Sequence, residues 1–174
     1  MLYLRKRIFW SSVTMLLLVY IMLRMLLFTR PALKKFHSKI KDISEFLIEV
    51  GIRTESLKPV NKVVTYHEPC HLCHAQGISK QPRDLIKSIP GVEFREMKEA
   101  NWCCGSAATF SLKFTEESQK ILDRKLVNVK NTEAEVLVTS NPGCHLQLDW
   151  GLREAEMAQP VLHLSELLGE ATPD

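Results

Sequence analysis

The chain has 174 residues, 45% of them hydrophobic and 25% charged, a composition that allows one compact domain plus an additional segment. The net charge of +3 combines a basic N-terminal part, residues 1–62, with an acidic remainder. No aromatic residues are interleaved with the basic ones, so we expect no nucleic-acid partner. The five cysteines are an odd number, which disfavours a closed set of disulfides and indicates a reducing compartment.

An apolar run over residues 8–28 is about 30 Å long as a helix, enough to cross a bilayer. We interpret residues 1–30 as a transmembrane anchor. The alternatives are a buried or peripheral helix, or a stretch foreign to the domain, as in a truncated or misread gene. Basic residues are denser after the run, which places the following chain on the cytoplasmic side of a membrane; without an anchor the protein is expected to be cytoplasmic.

Residues 31–58 are predicted to form an amphipathic helix and a linker. Pro31 suits the first helical position, and Gly51 ends the helix after Val50. The apolar residues of this helix recur every three or four positions and predict one buried face: Leu33, Phe36, Ile40, Ile43, Phe46, Leu47 and Val50.

Residues 59–170 alternate short β-rich runs with helical ones, which predicts an α/β domain with a parallel sheet and helices on both faces. The predicted strands cover residues 62–66, 92–97, 136–139 and 161–162. The predicted helices cover residues 82–89, 115–130, 147–157 and 165–168.

The cysteines form three groups, each after a predicted strand. These groups are Cys70 with Cys73, the adjacent Cys103 and Cys104, and Cys144. Because the carboxyl ends of parallel strands meet at one edge of the sheet, we expect the groups to converge there. Nearby helix N-termini favour thiolates, and Gly105 and Gly143 allow backbone N–H groups to approach sulfur.

Several thiolates without a dedicated set of imidazoles favour an iron–sulfur cluster or a closed zinc site. Structural zinc usually comes with paired C-x₂-C spacings, and only Cys70 and Cys73 have one. An iron–sulfur cluster is therefore the preferred interpretation, and zinc is the alternative. His71 and His145 directly follow cysteines and are candidates to hydrogen-bond sulfur, against ordinary capping or solvent contacts.

Residues 63–168 resemble one copy of the cysteine-rich CCG domain, which occurs in the iron–sulfur subunits of glycolate oxidase and of related lactate and glycerol-3-phosphate dehydrogenases, and in heterodisulfide reductase. The resemblance is carried by YHEPCHL at 66–72, CCGS at 103–106, NPGC at 141–144 with Gln147, and VLHLSELL at 161–168. It implies a cluster held by Cys70, Cys103, Cys104 and Cys144.

Two departures from the family pattern refine this expectation. The heterodisulfide reductase pattern ends in C-x₂-C, but Gln147 stands at the second cysteine, so the fifth ligand of a non-cubane cluster is missing and a conventional [4Fe–4S] cluster is implied. Cys73 is not at a family ligand position, and we regard it as either a spare ligand or a buried thiol.

The resemblance implies an electron-transfer component of a flavin-dependent, glycolate-type 2-hydroxy-acid oxidoreductase complex. The sequence has no Gly-rich dinucleotide fingerprint, so flavin or nicotinamide chemistry is expected on another chain, and we assign no catalytic residue. The expected partners are a flavoprotein subunit, other iron–sulfur subunits or domains, and a membrane. The alternative function is a non-catalytic interaction domain, stabilised by zinc or truncated.

Overall fold

The computed structural model of the chain describes residues 31, 35, 39–107 and 109–173. Residues 43–173 lie within one compact unit. The predicted membrane span over residues 8–28 lies outside the described residues. Within the described ranges, no helix combines the length and the apolar character that crossing a bilayer requires.

Helices and strands alternate along the described chain. The helices are α1 (Ile43–Val50), α2 (Lys80–Ser88), α3 (Phe110–Lys113), α4 (Thr115–Lys130), α5 (Pro142–Glu154) and α6 (Leu164–Ala171). The strands are β1 (Val63–His67), β2 (Glu93–Phe94), β3 (Val136–Thr139) and β4 (Val161–His163). A 3₁₀ turn covers Thr54–Ser56 and a π-helix covers His71–Gln76.

The four strands form one sheet in the order β2-β1-β3-β4, and every neighbouring pair is parallel. This confirms the predicted α/β class. The chain leaves β1 toward β2 on one side, whereas β3 and β4 lie on the other side. The strand order therefore reverses between β1 and β3, and in open α/β sheets the crevice beyond the carboxyl ends at such a point is where ligands bind.

Helices cover both faces of the sheet, as predicted. On one face Val64, Tyr66 and Val138 form an apolar cluster with residues of α2 and α6. On the other face Leu137 and Val161 pack with residues of α4 and α5, and this second cluster includes Cys104 and Cys144. Because side chains alternate along a strand, Thr65, His67 and Thr139 point to this second face.

Helix α5 begins at Pro142, five residues before the predicted start at 147. The Oδ1 atom of Asn141 accepts a hydrogen bond from the backbone N–H of Cys144 at 2.9 Å, and Pro142 occupies the first turn. An N-cap asparagine and a proline in the first turn are both typical of helix starts, so the helix begins at Pro142 and not at residue 147. Cys144 consequently lies in the first turn of α5 and not in the preceding loop.

The predicted continuous helix over 31–50 is wrong where it is described. Residues 40–42 are not helical, and α1 starts after Asp42, a residue type favoured at N-caps. The predicted buried face is also wrong for four residues, which are exposed: Ile40, Ile43, Phe46 and Val50. The reason is the orientation of α1, which turns Ser44 inward and packs Leu47 against the first apolar cluster.

Candidate metal centre

Four of the five cysteine side chains meet at the carboxyl edge of the sheet. The thiol of Cys70 contacts that of Cys103, Cys103 contacts Cys104, and Cys104 contacts Cys144. The four sulfur atoms thus form a continuous series supplied by three separate segments of the chain.

Each segment follows one strand of the sheet. Cys70 directly precedes the π-helix that follows β1, and Cys144 lies in the first turn of α5, after β3. Cys103 and Cys104 lie in the loop after β2. Cys104 and Cys144 are buried, whereas Cys70 and Cys103 are half-buried. The site therefore has a deep end inside the second apolar cluster and an outer end near the surface.

Contacts among the sulfurs shift the pKa values of the four thiols in opposite directions. Contacts with Cys104 and Cys70 lower the pKa of Cys103 to about 2, and contact with Cys104 lowers that of Cys144 to about 5. Interaction with the Cys103 sulfur raises the pKa of both Cys70 and Cys104. Four thiolates at this spacing require a positive charge among them, which a metal ion supplies.

A backbone amide also stabilises negative charge here. The N–H of Gly105 donates a hydrogen bond to the Sγ of Cys103 at 3.3 Å. Gly105 has a φ of 92°, a left-handed conformation that favours glycine. Gly143 lies in the first turn of α5, and no hydrogen bond from its N–H to sulfur is found among the described residues.

His67 is a member of the site to which the sequence interpretation gave no role. One of its ring nitrogens and the Sγ atoms of Cys104 and Cys144 all lie within 4.8 Å of one another. Its closeness to the Cys144 thiol contributes to the lowered pKa of that group. Its position directly after the predicted strand 62–66, like the positions of the cysteine groups after their strands, was the signal available in the sequence.

The donor set fits a soft metal ion or an iron–sulfur cluster. Thiolates prefer such metals, and four cysteines are the usual protein ligands of a [4Fe–4S] cluster. A mixed set of thiolates and one imidazole also suits zinc. Cys70, Cys103, Cys104 and Cys144, with His67 at the deep end, are the residues that would hold the group.

The same region matches a known family. Residues 64–149 match the profile of the cysteine-rich domain named CCG. This segment belongs to the CCG domain family. The CCG match contains all five cysteines and both central strands of the sheet.

Two of three curated relatives of this CCG domain are subunits of an oxidase or a reductase by name. The probable glycolate oxidase iron-sulfur subunit of Bacillus subtilis is 44% identical over 139 residues, which cover 78% of this chain and 31% of that protein. A fumarate reductase (CoM/CoB) subunit of Methanothermobacter marburgensis is 35% identical, covering 78% and 28%. Lactate utilization protein A of Halalkalibacterium halodurans is 30% identical, covering 78% and 55%. The chain spans about a third of the first two relatives and about half of the third.

Other residues predicted for the CCG site lie outside the sulfur series. The Sγ of Cys73 donates to the backbone oxygen of Cys70 at 3.7 Å, and within the described part of the chain no contact joins it to another sulfur. Burial raises its pKa. The backbone N–H of Cys73 donates to the oxygen of Pro69 at 3.1 Å, which fixes Cys73 in the π-helix.

His71 and His145 contribute to the CCG site differently from what their positions suggested. The backbone N–H of His71 lowers the pKa of Cys70, but the His71 side chain is exposed. His145 is partly buried, and its backbone N–H bonds to the oxygen of Asn141 at 2.8 Å. Among the described residues, neither ring has a hydrogen bond to a sulfur atom.

Lys125 of α4 places a buried cation near the sulfurs. Its side chain is fully buried, and its Nζ donates to the carbonyl oxygens of Glu99 at 2.5 Å and of Ala100 at 3.2 Å. Burial lowers the pKa of Lys125 to about 8, while the negative charge of nearby groups, Cys104 first among them, acts in the opposite direction. Lys125 thus both fixes the loop before Cys103 and offsets thiolate charge.

Two more residues of α4 fasten the same loop. Arg124 donates two hydrogen bonds to the Glu99 carboxylate, from Nε at 2.9 Å and from Nη2 at 2.5 Å, and Asn128 donates a third at 3.1 Å. Glu99 has a φ of 56°, which non-glycine residues rarely adopt. The bonds to α4 hold this turn in place and thereby set the position of Cys103 and Cys104.

Replacement of Gly105 by alanine is expected to remove most of the bound metal. A Cβ at this position would lie 2.6 Å from the backbone oxygen of Ser118, so the loop must shift and displace both adjacent cysteines. The matched control is Gly51→Ala, which also has a positive φ, 81°, but has no atom within 4 Å of the added Cβ. Metal content after purification measures the difference, and equal retention by the two variants would contradict this placement of the loop.

Replacement of Lys125 by methionine keeps the length of the side chain but removes its charge and both hydrogen bonds. We expect metal affinity to fall roughly 10- to 100-fold, as is usual for residues that support metal ligands. Lys120→Met, an exposed position on the same helix, is the control. The measurement is the metal retained during dialysis against increasing chelator concentrations, with circular dichroism to show that both variants are folded. Equal retention would show that Lys125 does not support the site.

Proposed function

We propose that this chain carries an iron–sulfur cluster and acts as an electron-transfer component of an oxidoreductase complex. The observation that carries the proposal is the convergence of four cysteine sulfurs at the point where the strand order reverses. The name of the Bacillus subtilis relative, an iron-sulfur subunit, supports it. When bound, the cluster supplies one-electron transfer, and the chain supplies ligands, burial and nearby charge.

The four thiolates favour a [4Fe–4S] cluster within this proposal. Gln147 does not compete for the metal, because its side-chain N–H donates to the Oγ of Ser118 at 3.2 Å. That hydroxyl in turn donates to the backbone oxygen of Gly105 at 3.0 Å. Gln147 thus supports the loop that carries Cys103 and Cys104.

The outer end of the site suits electron exchange with a partner protein. Cys70 and Cys103 are half-buried. Trp102, next to Cys103, is 46% exposed, and Leu146, two residues after Cys144, is 73% exposed. Exposed aromatic and aliphatic residues are typical of protein–protein interfaces. The partner in this proposal is a flavoprotein subunit or another iron–sulfur subunit or domain.

The substrate of the complex in this proposal is a 2-hydroxy acid of the glycolate type, which is oxidised on the partner. The names of the Bacillus subtilis and Halalkalibacterium halodurans relatives, glycolate oxidase and lactate utilization, support this substrate class. We place the protein in the cytoplasm, on the cytoplasmic side of a membrane if residues 1–30 are an anchor.

A second candidate function is a zinc-stabilised interaction domain. The group formed by His67, Cys104 and Cys144 favours it, because mixed imidazole and thiolate donors are typical of structural zinc. The two candidates differ in colour, since zinc proteins are colourless and iron–sulfur proteins absorb visible light.

Anaerobic purification of the full chain tests the metal assignment. We expect brown protein with iron and acid-labile sulfide, and we expect Cys103→Ser to lose most of both because a native ligand is removed. Cys73→Ser is the matched control, since this thiol lies outside the sulfur series. Colourless protein containing zinc would refute the iron–sulfur function, and equal iron loss in both variants would refute the ligand set.

The partner assignment predicts that the isolated chain reduces no dye with glycolate or lactate as electron donor. The reason is that the proposed cluster receives its electrons from another protein. Dye reduction is followed by absorbance with the iron-containing chain, and a chemical reductant that bleaches the cluster serves as the positive control. Substrate-dependent dye reduction by this chain alone would contradict the proposed division of labour.

A further inference from the structure

His67 is a fully buried side chain whose one hydrogen-bonding neighbour among the described residues is the Cys144 thiol. Its relative exposure is 0%, and in this part of the chain no oxygen or nitrogen atom bonds to its Nδ1 or Nε2. Buried polar atoms almost always have partners, because an unpaired one loses its bonds to water without replacement. A buried ring whose polar neighbour is a cysteine sulfur therefore indicates that a metal ion shared with that sulfur is bound in the working protein.

The position of His67 directs this ring into the sulfur site. His67 is the last residue of β1 and lies beside Thr139 of β3, so it stands at the edge where the strand order reverses. One ring nitrogen lies within 4.8 Å of both the Cys104 and Cys144 sulfurs. Nitrogen and sulfur donors to one metal ion lie roughly 3.5 to 4 Å apart, so small side-chain movements bring this trio to bonding distance.

An imidazole binds a metal through a ring nitrogen that carries no proton, so it adds a ligand without adding to the negative charge of the thiolates. Among the described residues, the hydroxyls of Thr65 and Thr139 are also buried without a partner, on the same sheet face. Metal-bound histidines usually donate their other N–H to a polar group, and both hydroxyls are candidates for that role.

We propose that His67 is a fifth protein ligand of the metal centre, bound next to Cys104 and Cys144. The four cysteines alone would supply one protein ligand for each iron of a four-iron cluster. His67 would add a fifth protein ligand to this set. This inference rests on the proposed function only for the identity of the metal, since nitrogen ligation is testable for iron and for zinc.

The test uses the full chain purified anaerobically in two forms, one with ¹⁴N-histidine and one with ¹⁵N-histidine. With iron bound, pulsed electron paramagnetic resonance of the reduced cluster is expected to show a strong nitrogen coupling that changes with the isotope. His67→Phe, which keeps a ring of similar size, is expected to abolish that coupling. His74→Phe is the control, because His74 is exposed and its Nε2 lies 3.3 Å from the backbone oxygen of Asn101.

The possible results separate this inference from the proposed function. If the labelled wild-type chain binds iron but shows no strong nitrogen coupling, His67 is not a ligand, and the proposed function remains intact. This result does not depend on whether His67→Phe folds. Zinc in place of iron refutes the function. X-ray absorption of that zinc then decides the ligand role, since a nitrogen at about 2.0–2.1 Å among sulfurs supports it and a shell of sulfur alone overturns it.

Discussion

Thiolates repel one another, and the rest of this domain depends on how it holds four sulfur groups together. The strand order β2-β1-β3-β4 brings three segments to one crevice. Several sources of positive charge or polarity then act on that crevice: the first turn of α5, the N–H of Gly105 and the ammonium group of Lys125. Metal binding completes this balance, because a cation replaces the protons that Cys70 and Cys104 would otherwise keep.

Helix α4 links the metal centre to the core. One side of α4 contributes Leu122, Leu126 and Val129 to the second apolar cluster. The same helix supplies Arg124, Lys125 and Asn128, which bind the turn at Glu99. The position of the adjacent cysteines is therefore set by a helix that is itself fixed by apolar packing.

Sequence patterns predicted the fold class and much of the site for clear physical reasons. Charge placement predicted the helix Thr115–Lys130, and a short apolar run predicted the strand Val136–Thr139, both with the bounds that the structure has. The placement of cysteines after strands predicted that they share one edge, since all parallel strands end on the same side. The helix cap at Asn141 was a local signal that was not used, and it moves Cys144 into the first turn of α5.

Tertiary placement explains what sequence patterns could not predict. A lysine on a helix normally indicates an exposed position, and only the packing of α4 against the Glu99 turn reveals that Lys125 is buried. Alternation along β1 places Thr65 and His67 on one face, but only the strand order shows that this face meets the cysteines. The buried face of α1 was predicted incorrectly for a related reason. Periodicity identifies the apolar face of a helix but not the element that packs against it.

The sulfur ligands come from segments separated by roughly 30 to 40 residues, so a metal bound to all of them closes two long loops. In this respect the bound metal resembles a disulfide bond. Each reduces the number of conformations that the unfolded chain can adopt while the cross-link is intact. Metal release and opening of the sheet edge are consequently linked equilibria. A chelator lowers the stability of β1, β3 and α5 together, and any ligand that stabilises this edge raises the affinity for the metal.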